Sequence, residues 1–280
     1  MIIDKYNQRA KKINSLLCVG LDSDFNKIPE RFKMALNPQF EFNKWIIKET
    51  HKYASAFKMN SAFYEARGDK GIQELKMTID YLNKNYGEIF TILDAKRADV
   101  DNTNQGYVEF VFNYLNFDAI TLNPYLGGVA LSPFLDKEDK GCIILCRTSN
   151  SGAGEFQDLE IIQVAQEVAQ EPFLRTGKTL WQIVAEKVSK EWNKNNNCML
   201  VVGATYPEEM KEIRNIVGDM TFLVPGIGTQ GGDLKATIEA GLNSENLGLI
   251  IHSARSIIFA KSPEEEAEKL CEEIRKYKGI

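Results

Sequence analysis

The sequence has few histidines and few cysteines. Its 280 residues contain two histidines, His51 and His252, and five cysteines, none of which forms a Cys-x-x-Cys pair. Four of the cysteines lie in apolar, strand-like runs, which favours buried reduced thiols over metal ligands or disulfides. No His/Asp/Glu cluster has metal-ligand spacing. The sequence therefore predicts neither a metal site nor a disulfide-linked scaffold.

Long apolar runs and an excess of positive charge are also absent. No run approaches the roughly 18 apolar residues that a membrane-spanning helix needs. The first residues, Met1–Lys5, turn polar at once and lack the apolar region of a signal peptide. The net charge of −5 gives no broad basic surface for nucleic acid, although a local phosphate site needs only one arginine and a few backbone amides. We therefore expect a cytoplasmic enzyme or binding protein.

Short apolar runs alternate with longer amphipathic ones along the chain. The predicted strands are nearly all apolar, as is typical of parallel strands buried on both faces: Leu16–Leu21, Ala56–Met59, Phe90–Leu93, Ala119–Leu122, Cys142–Cys146, Met199–Gly203, Thr221–Val224 and Leu247–Ile251. Predicted helices fall between them: Phe42–Tyr53, Ile72–Leu82, Asn104–Leu115, Leu180–Trp192, Glu208–Val217 and Pro263–Tyr277. This alternation predicts an α/β fold, a single (β/α)8 TIM barrel that spans residues 1–280.

Two segments lie outside this alternation. Residues Asp4–Ile13 are predicted to form an N-terminal helix that caps one end of the barrel. Residues Asn150–Gly177 are predicted to form an extended loop after strand five, with a short helix and a mobile active-site loop.

Charged residues recur where the predicted strands end, which is where an α/β barrel places its catalytic groups. Asp94, Lys96 and Asp99 form the pattern D-x-K-x-x-D. Positions two apart on a strand share a face, so Asp94 and Lys96 can enter one pocket, and Lys58 ends the neighbouring strand. Such an array would keep the lysines charged and able to donate a proton. The alternative is a structural ion-pair network at the barrel mouth.

A second candidate site follows strands seven and eight. The segment Pro225–Asp233 is rich in glycine, and Arg255 follows the last strand. This is the usual phosphate site of a TIM barrel, and arginine is a bidentate phosphate donor. The alternative is an ordinary glycine turn with a surface arginine. His252 is nearby and is interpreted as a packing group, and Ser149, which has no apparent histidine partner, as a hydrogen-bonding group.

Several blocks of the sequence resemble one enzyme family. The segment Leu93–Thr103, which contains D-x-K-x-x-D, resembles the signature of orotidine 5′-phosphate decarboxylase. Further blocks resemble the longer bacterial branch of that family and run in order along almost the whole chain: Leu17–Asp22, Phe57–Glu65, Asn123–Gly128, Leu145–Gly154, Val202–Pro207 and Pro225–Asp233.

The resemblance implies a decarboxylase that needs no cofactor. It would convert orotidine 5′-monophosphate to uridine 5′-monophosphate in pyrimidine nucleotide synthesis. Lys96 would protonate carbon six of the pyrimidine, Asp94 would lie beside the departing carboxylate, and Lys58 would bridge Asp94 and the ribose. Asp22 would bind a ribose hydroxyl, and Ser149 would hydrogen-bond the pyrimidine ring.

The resemblance also implies a phosphate site and a shared active site. Gln230 and Arg255 would hold the phosphate, and Pro225 and Ala254 complete the predicted substrate-binding set. Ala254 stands where glycine or serine is more usual, but its backbone amide is retained.

Asp99 and Thr103 would reach into the site of a partner subunit, which implies a homodimer with shared active sites. Asp101 stands between them where the family usually has glycine. This departure from the family pattern adds a charge beside Asp99. It bears on the turn geometry there and on the partner's ribose contact.

Two rival functions share the barrel. A metal-dependent sugar-phosphate decarboxylase or aldolase would place a glutamate metal ligand at the end of strand two, where this chain has Lys58, and lysine disfavours a divalent cation. A non-catalytic nucleotide-binding barrel is disfavoured because Lys58, Asp94, Lys96 and Asp99 are all present.

Overall fold

A closed barrel of parallel strands forms the centre of the molecule. The computed structural model describes residues 1–164, 173–227 and 231–279. Within these residues, eight strands close the barrel in the order β1-β10-β9-β8-β5-β4-β3-β2, and β6 pairs only with β7. The strands are β1 Leu17–Gly20, β2 Ala56–Asn60, β3 Phe90–Arg97, β4 Ala119–Leu122, β5 Gly141–Arg147, β6 Glu160–Val164, β7 Phe173–Thr179, β8 Cys198–Val202, β9 Phe222–Val224 and β10 Leu249–Ser253. The predicted TIM barrel is confirmed, with all eight barrel strands at their predicted positions.

Helices cover the outside of the barrel and connect its strands. They are α1 Ile2–Ile13, α2 Glu30–Lys33, α3 Pro38–Thr50, α4 Ala62–Glu65, α5 Gly68–Asn85, α6 Asp101–Val108, α7 Gly127–Leu135, α8 Gly154–Gln157, α9 Leu180–Lys187, α10 Pro207–Val217, α11 Leu234–Gly241, α12 Arg255–Ile258 and α13 Pro263–Lys278. Single 3₁₀ turns span Phe25–Lys27 and Pro124–Leu126. The helices predicted to run to Leu115 and Trp192 instead finish as π-helical turns, Glu109–Tyr114 and Val188–Trp192. In the first of these the wider turn buries the consecutive apolar residues Val111 and Phe112.

The N-terminal helix α1 closes the amino end of the barrel, as predicted. Tyr6 is fully buried, and its hydroxyl donates to the carbonyl of Leu249 at the start of β10, at 2.5 Å. Arg9 donates to the carbonyls of Ala54 and His51, just before β2. The opposite, carboxyl end of the barrel is therefore the end that is open for a functional site.

The extended loop after β5 holds more regular structure than expected. It contains the predicted short helix, α8, but also an antiparallel hairpin of β6 and β7, with Glu160 opposite Thr179. These strands were not predicted because they pair only with each other, and Ile162 of β6 is half exposed, so the segment lacks the apolar run of a barrel strand. The predicted mobility of this loop stays a prediction, and part of the loop lies outside the described residues.

The cysteines and the helix lengths agree with a protein that has neither disulfides nor membrane-spanning helices among the residues that the structure describes. The five cysteines are free and buried, as the sequence indicated. In the part of the chain that the structure describes, no helix has the length and apolarity needed to cross a bilayer.

Candidate active site

A cavity of about 420 Å³ opens at the carboxyl end of the barrel. Side chains at or near the ends of β1, β2, β3, β5, β8, β9 and β10 line it, because parallel strands bring their carboxyl ends to one rim. Eight of the predicted site residues meet there: Asp22, Lys58, Asp94, Lys96, Ser149, Pro225, Ala254 and Arg255. The wall also includes residues that the sequence did not select, among them Gln157 and His252.

Asp94 is the centre of the charged array. Its Oδ2 accepts a hydrogen bond from Lys58 Nζ at 2.9 Å, and its Oδ1 accepts from Lys96 Nζ at 2.7 Å and from Thr121 Oγ1 at 2.8 Å. Burial alone would raise the pKa of Asp94, but the charges and hydrogen bonds of the two lysines outweigh it and hold that pKa well below its usual range. Asp94 is therefore an anion held between two cations.

Lys58 is the buried cation of the array, with a side chain that is 3% exposed. Burial lowers its pKa, but the carboxylates of Asp22 and Asp94 more than compensate and raise that pKa above its usual value. Its Nζ lies 3.6 Å from Asp22 Oδ1. Lys58 therefore stays charged and links two carboxylates.

Lys96 is the exposed cation, with a side chain that is 49% exposed. Its backbone is left-handed, with φ of 47°, a conformation that costs a residue with a Cβ roughly 1 kcal/mol. The pairing of β3 with β4 is irregular between Leu93 and Arg97, and the Lys96 N–H donates to Thr121 Oγ1 at 2.9 Å. Asp94 and Lys96 share the cavity as predicted, but a strand irregularity, rather than simple alternation, places Lys96 there.

Asn60, the last residue of β2, connects two acidic residues of the site. Its backbone N–H donates to Asp22 Oδ1 at 3.2 Å, and its Nδ2 donates to Asp94 Oδ2 at 3.4 Å. Its position two residues after Lys58, at the end of the same strand, was the sequence signal for this role. Asp22 therefore has one oxygen, Oδ1, held by the end of β2.

Ser149 is positioned by the strand beside it. A Cβ on Gly203 would lie 2.8 Å from Ser149 Cβ and 2.9 Å from its backbone nitrogen, so only glycine fits there. The loop after β5 is tied to the same rim by Gln157, whose Oε1 accepts from Thr148 N at 3.0 Å and whose Nε2 donates to Thr148 Oγ1 at 2.9 Å. Gln157 belongs to no recognisable motif, so no sequence pattern marked it as part of the site.

The predicted phosphate side of the cavity is formed by Pro225, Ala254 and Arg255. Gly226 has a φ of 106°, and its carbonyl accepts from the N–H of Gly232 at 3.1 Å, so the two ends of the glycine segment are close together. Gln230 lies outside the described residues.

Asp99 and Thr103 are not among the residues that line the cavity of their own chain. Asp99 is half-buried; its carboxylate accepts from Val100 N at 2.7 Å, and its backbone N–H donates to Asn104 Oδ1 at 2.9 Å. Thr103 is exposed on α6. Asp101 is the first residue of that helix, and its side chain lies outside the description. The roles of Asp99 and Thr103 in a partner's site stay predictions.

Among the described residues, no group of three or more His, Cys, Asp or Glu side chains could hold a metal ion.

Comparison with known proteins gives one consistent match. The model of the orotidine 5′-phosphate decarboxylase / HUMPS family matches residues 15–270. The chain is 44% identical over 276 residues to the orotidine 5′-phosphate decarboxylase of Flavobacterium johnsoniae, covering 99% of this chain and 95% of that one. It is 43% identical over 268 residues to that of Cellvibrio japonicus, covering 95% and 92%. Its structure is similar to that of Leishmania donovani OMP decarboxylase, with a TM-score of 0.85 and 36% identity, covering 100% and 99%.

Proposed function

Because this chain belongs to the orotidine 5′-phosphate decarboxylase / HUMPS family and is a carboxy-lyase, we propose that residues 1–280 form one catalytic domain that converts orotidine 5′-monophosphate to uridine 5′-monophosphate without a cofactor. One observation carries the proposal: the Asp94 carboxylate lies between Lys58 and Lys96 in the cavity that also holds Arg255. The proposed proton donor to carbon six is Lys96.

The chemical step uses fixed charges. The bond between carbon six and the carboxylate breaks, carbon dioxide leaves, and the electron pair remains on carbon six. The Lys96 ammonium stabilises this developing charge and transfers a proton to it. Asp94 lies beside the departing carboxylate and holds Lys96 in place. Because Lys96 is half exposed, it can regain its proton from solvent.

Substrate binding engages the rest of the rim. Lys58 bridges Asp94 and the ribose, Asp22 accepts from a ribose hydroxyl, and Ser149 hydrogen-bonds the pyrimidine. The phosphate lies at the opposite side of the cavity, held by residues after β9 and β10: Pro225, Gln230, Ala254 and Arg255. Binding energy from the phosphate can orient the ring against Lys96 although the phosphate does not react.

The proposal includes a homodimer with shared active sites. Asp99 lies just after β3 and Thr103 lies on α6, but neither lines its own chain's cavity, which leaves them available to a second copy. A cytoplasmic location, and a small nucleotide rather than a nucleic acid or a membrane as the partner, are proposed from the sequence.

A metal-dependent sugar-phosphate decarboxylase or aldolase is the alternative within the same barrel group. It is disfavoured by Lys58, whose buried ammonium lies 2.9 Å from Asp94 Oδ2. A divalent cation at that carboxylate would have to displace the ammonium or suffer its repulsion. A non-catalytic nucleotide-binding barrel would have no need of the left-handed Lys96 backbone.

The decay of orotidine 5′-monophosphate absorbance, with and without a chelator, tests the proposal. We expect turnover that is unchanged by the chelator, with uridine 5′-monophosphate as the product. Loss of activity on chelation would indicate the metal enzyme. A well-folded protein with no turnover would refute the decarboxylase proposal.

A further inference from the structure

His252 lines the cavity, and the proposed chemistry gives it no role. It lies on β10, in register with Cys18 of β1. The sequence favoured a packing role for it. The structure adds that its Nε2 is buried and has no hydrogen-bond partner among the described residues. A buried polar nitrogen without a partner is costly, so a bond that forms only when the site is filled would explain its presence.

The nearest acceptor to this nitrogen belongs to Asp22. His252 Nε2 lies 3.9 Å from Asp22 Oδ2, which is beyond a hydrogen bond but within reach of a small movement. The other oxygen, Oδ1, is already engaged: it accepts from Asn60 N at 3.2 Å and faces Lys58 Nζ at 3.6 Å. A donor at His252 would therefore fix Oδ2 without competing with Lys58.

Close packing keeps the imidazole on this side of the cavity. A Cβ on Gly20, two residues before Asp22, would lie 2.4 Å from His252 Nε2 and 2.6 Å from Ala254 Cβ. The ring therefore rests against the backbone of β1. The ring cannot move closer to Gly20.

The surrounding charges determine the form of the ring. Burial lowers the pKa of His252 well below its usual value, and the positive charges of Lys58 and Lys96 lower it further against the opposing effect of Asp94. The imidazole is therefore neutral at neutral pH. It offers an N–H without adding a third positive charge beside the two lysines, which a lysine or arginine could not do.

We propose that His252 is a positioning residue for the sugar of the nucleotide. When a ribonucleotide fills the cavity, the Nε2–H of His252 donates to Asp22 Oδ2 and fixes the carboxylate that accepts from the sugar hydroxyl. This inference rests on the proposed function, which assigns Asp22 to the ribose. It places the contribution of His252 in substrate binding rather than in the chemical step.

Two variants of His252 test the proposal. His252→Phe keeps a ring and removes the donor, whereas His252→Gln places an amide N–H near the position of Nε2. We expect His252→Phe to raise KM for orotidine 5′-monophosphate about tenfold, the effect of losing a hydrogen bond to a charged acceptor, with kcat little changed. His252→Gln should recover most of the loss. If circular dichroism shows that His252→Phe does not fold, His252→Asn, whose amide is too short to reach Asp22, replaces it.

Product analogues separate positioning from a merely structural role. The dissociation constants of uridine 5′-monophosphate and its 2′-deoxy and 3′-deoxy forms are measured by calorimetry for wild type, His252→Phe and Asp22→Asn. One of the two deoxy analogues lacks the hydroxyl that Asp22 binds. It is identified as the analogue whose affinity does not change in Asp22→Asn. We expect His252→Phe to weaken the other two nucleotides and leave that analogue unaffected. Equal weakening of all three, or none, would overturn the proposal.

The same measurements distinguish failure of this inference from failure of the proposed function. If wild type decarboxylates the substrate and His252→Phe has an unchanged KM, only the role of His252 is lost. If wild type binds uridine 5′-monophosphate without turnover, the decarboxylase proposal fails and the binding series alone decides on His252. If wild type binds no uridine nucleotide, both are overturned.

Discussion

The ion pairs of Asp94 should contribute to the stability of the fold as well as to the proposed chemistry. Asp94→Asn keeps the shape of the side chain but removes the charge that faces Lys58 at 2.9 Å and Lys96 at 2.7 Å. Lys96 is half exposed and can turn to water, whereas Lys58 is buried and keeps only Asp22, at 3.6 Å. Breaking a buried pair by removing one partner costs about 3–5 kcal/mol. Because Asp22 remains, we expect Asp94→Asn to lower the free energy of unfolding by about 3 kcal/mol at neutral pH.

The stability lost in Asp94→Asn should depend on pH in a defined direction. Burial raises the pKa of Asp94, but Lys58 and Lys96 outweigh it, so the folded-state pKa is lowered. A carboxylate of this kind contributes stability above its unfolded pKa of about 3.9, and this contribution is lost as pH falls through the folded value. The difference in unfolding free energy between wild type and Asp94→Asn should therefore be full at neutral pH and shrink below about pH 4.

Equilibrium urea unfolding, followed by the fluorescence of the three tryptophans, measures this difference. Asp80→Asn is the matched control, because Asp80 pairs with Lys76 at 2.5 Å on the surface and is 53% exposed. The control should change the free energy of unfolding by less than about 1 kcal/mol. If Asp94→Asn were as stable as wild type at neutral pH, or if the difference did not narrow in acid, the reasoning would be refuted.

Three further experiments test the substrate contacts and the shared site. Arg255→Ala should raise KM by about tenfold or more, because a charge-assisted phosphate contact is lost; an unchanged KM in steady-state kinetics would remove Arg255 from the phosphate site. Gly203→Ala should raise KM, because the new Cβ, 2.8 Å from Ser149 Cβ, must displace Ser149; wild-type kinetics would contradict this. Mixing Lys96→Ala with Asp99→Ala protein should restore about a quarter of wild-type turnover, since random exchange makes half the dimers hybrid, each with one intact site. Absence of rescue despite demonstrated subunit exchange would argue against a shared site.

Barrel strands could be predicted because burial on both faces leaves continuous apolar runs. Ala119–Leu122 was predicted with its observed bounds. The strand predicted to end at Leu93 continues to Arg97, because its backbone still pairs with β4. The prediction stopped early because the apolar run ends where the charged side chains begin. The hairpin of β6 and β7 was missed because it pairs outside the barrel, where no apolar run marks a strand.

The candidate site was predictable to the extent that it follows strand ends. Lys58 and Asp94 could be predicted, because their positions at the ends of strands place them at the rim of the barrel. The left-handed backbone of Lys96 arises from an irregular pairing with the neighbouring strand, which no local pattern encodes. Gln157 reaches the rim through contacts with Thr148 and Arg147, so its role depends on tertiary structure. His252 had one signal, its position directly after the apolar run predicted as the last strand, and the structure extends that strand to include it.

The most direct test of the central claim is the pair of constants, kcat and nucleotide affinity, for Lys96→Ala. Lys76→Ala removes a partly exposed lysine of α5 that does not line the cavity, and it serves as the control. We predict that Lys96→Ala loses measurable decarboxylation, a fall in kcat of at least about 10²–10⁴-fold, while it still binds uridine 5′-monophosphate. Near-normal turnover of orotidine 5′-monophosphate by Lys96→Ala would contradict the assignment of Lys96 as the proton donor.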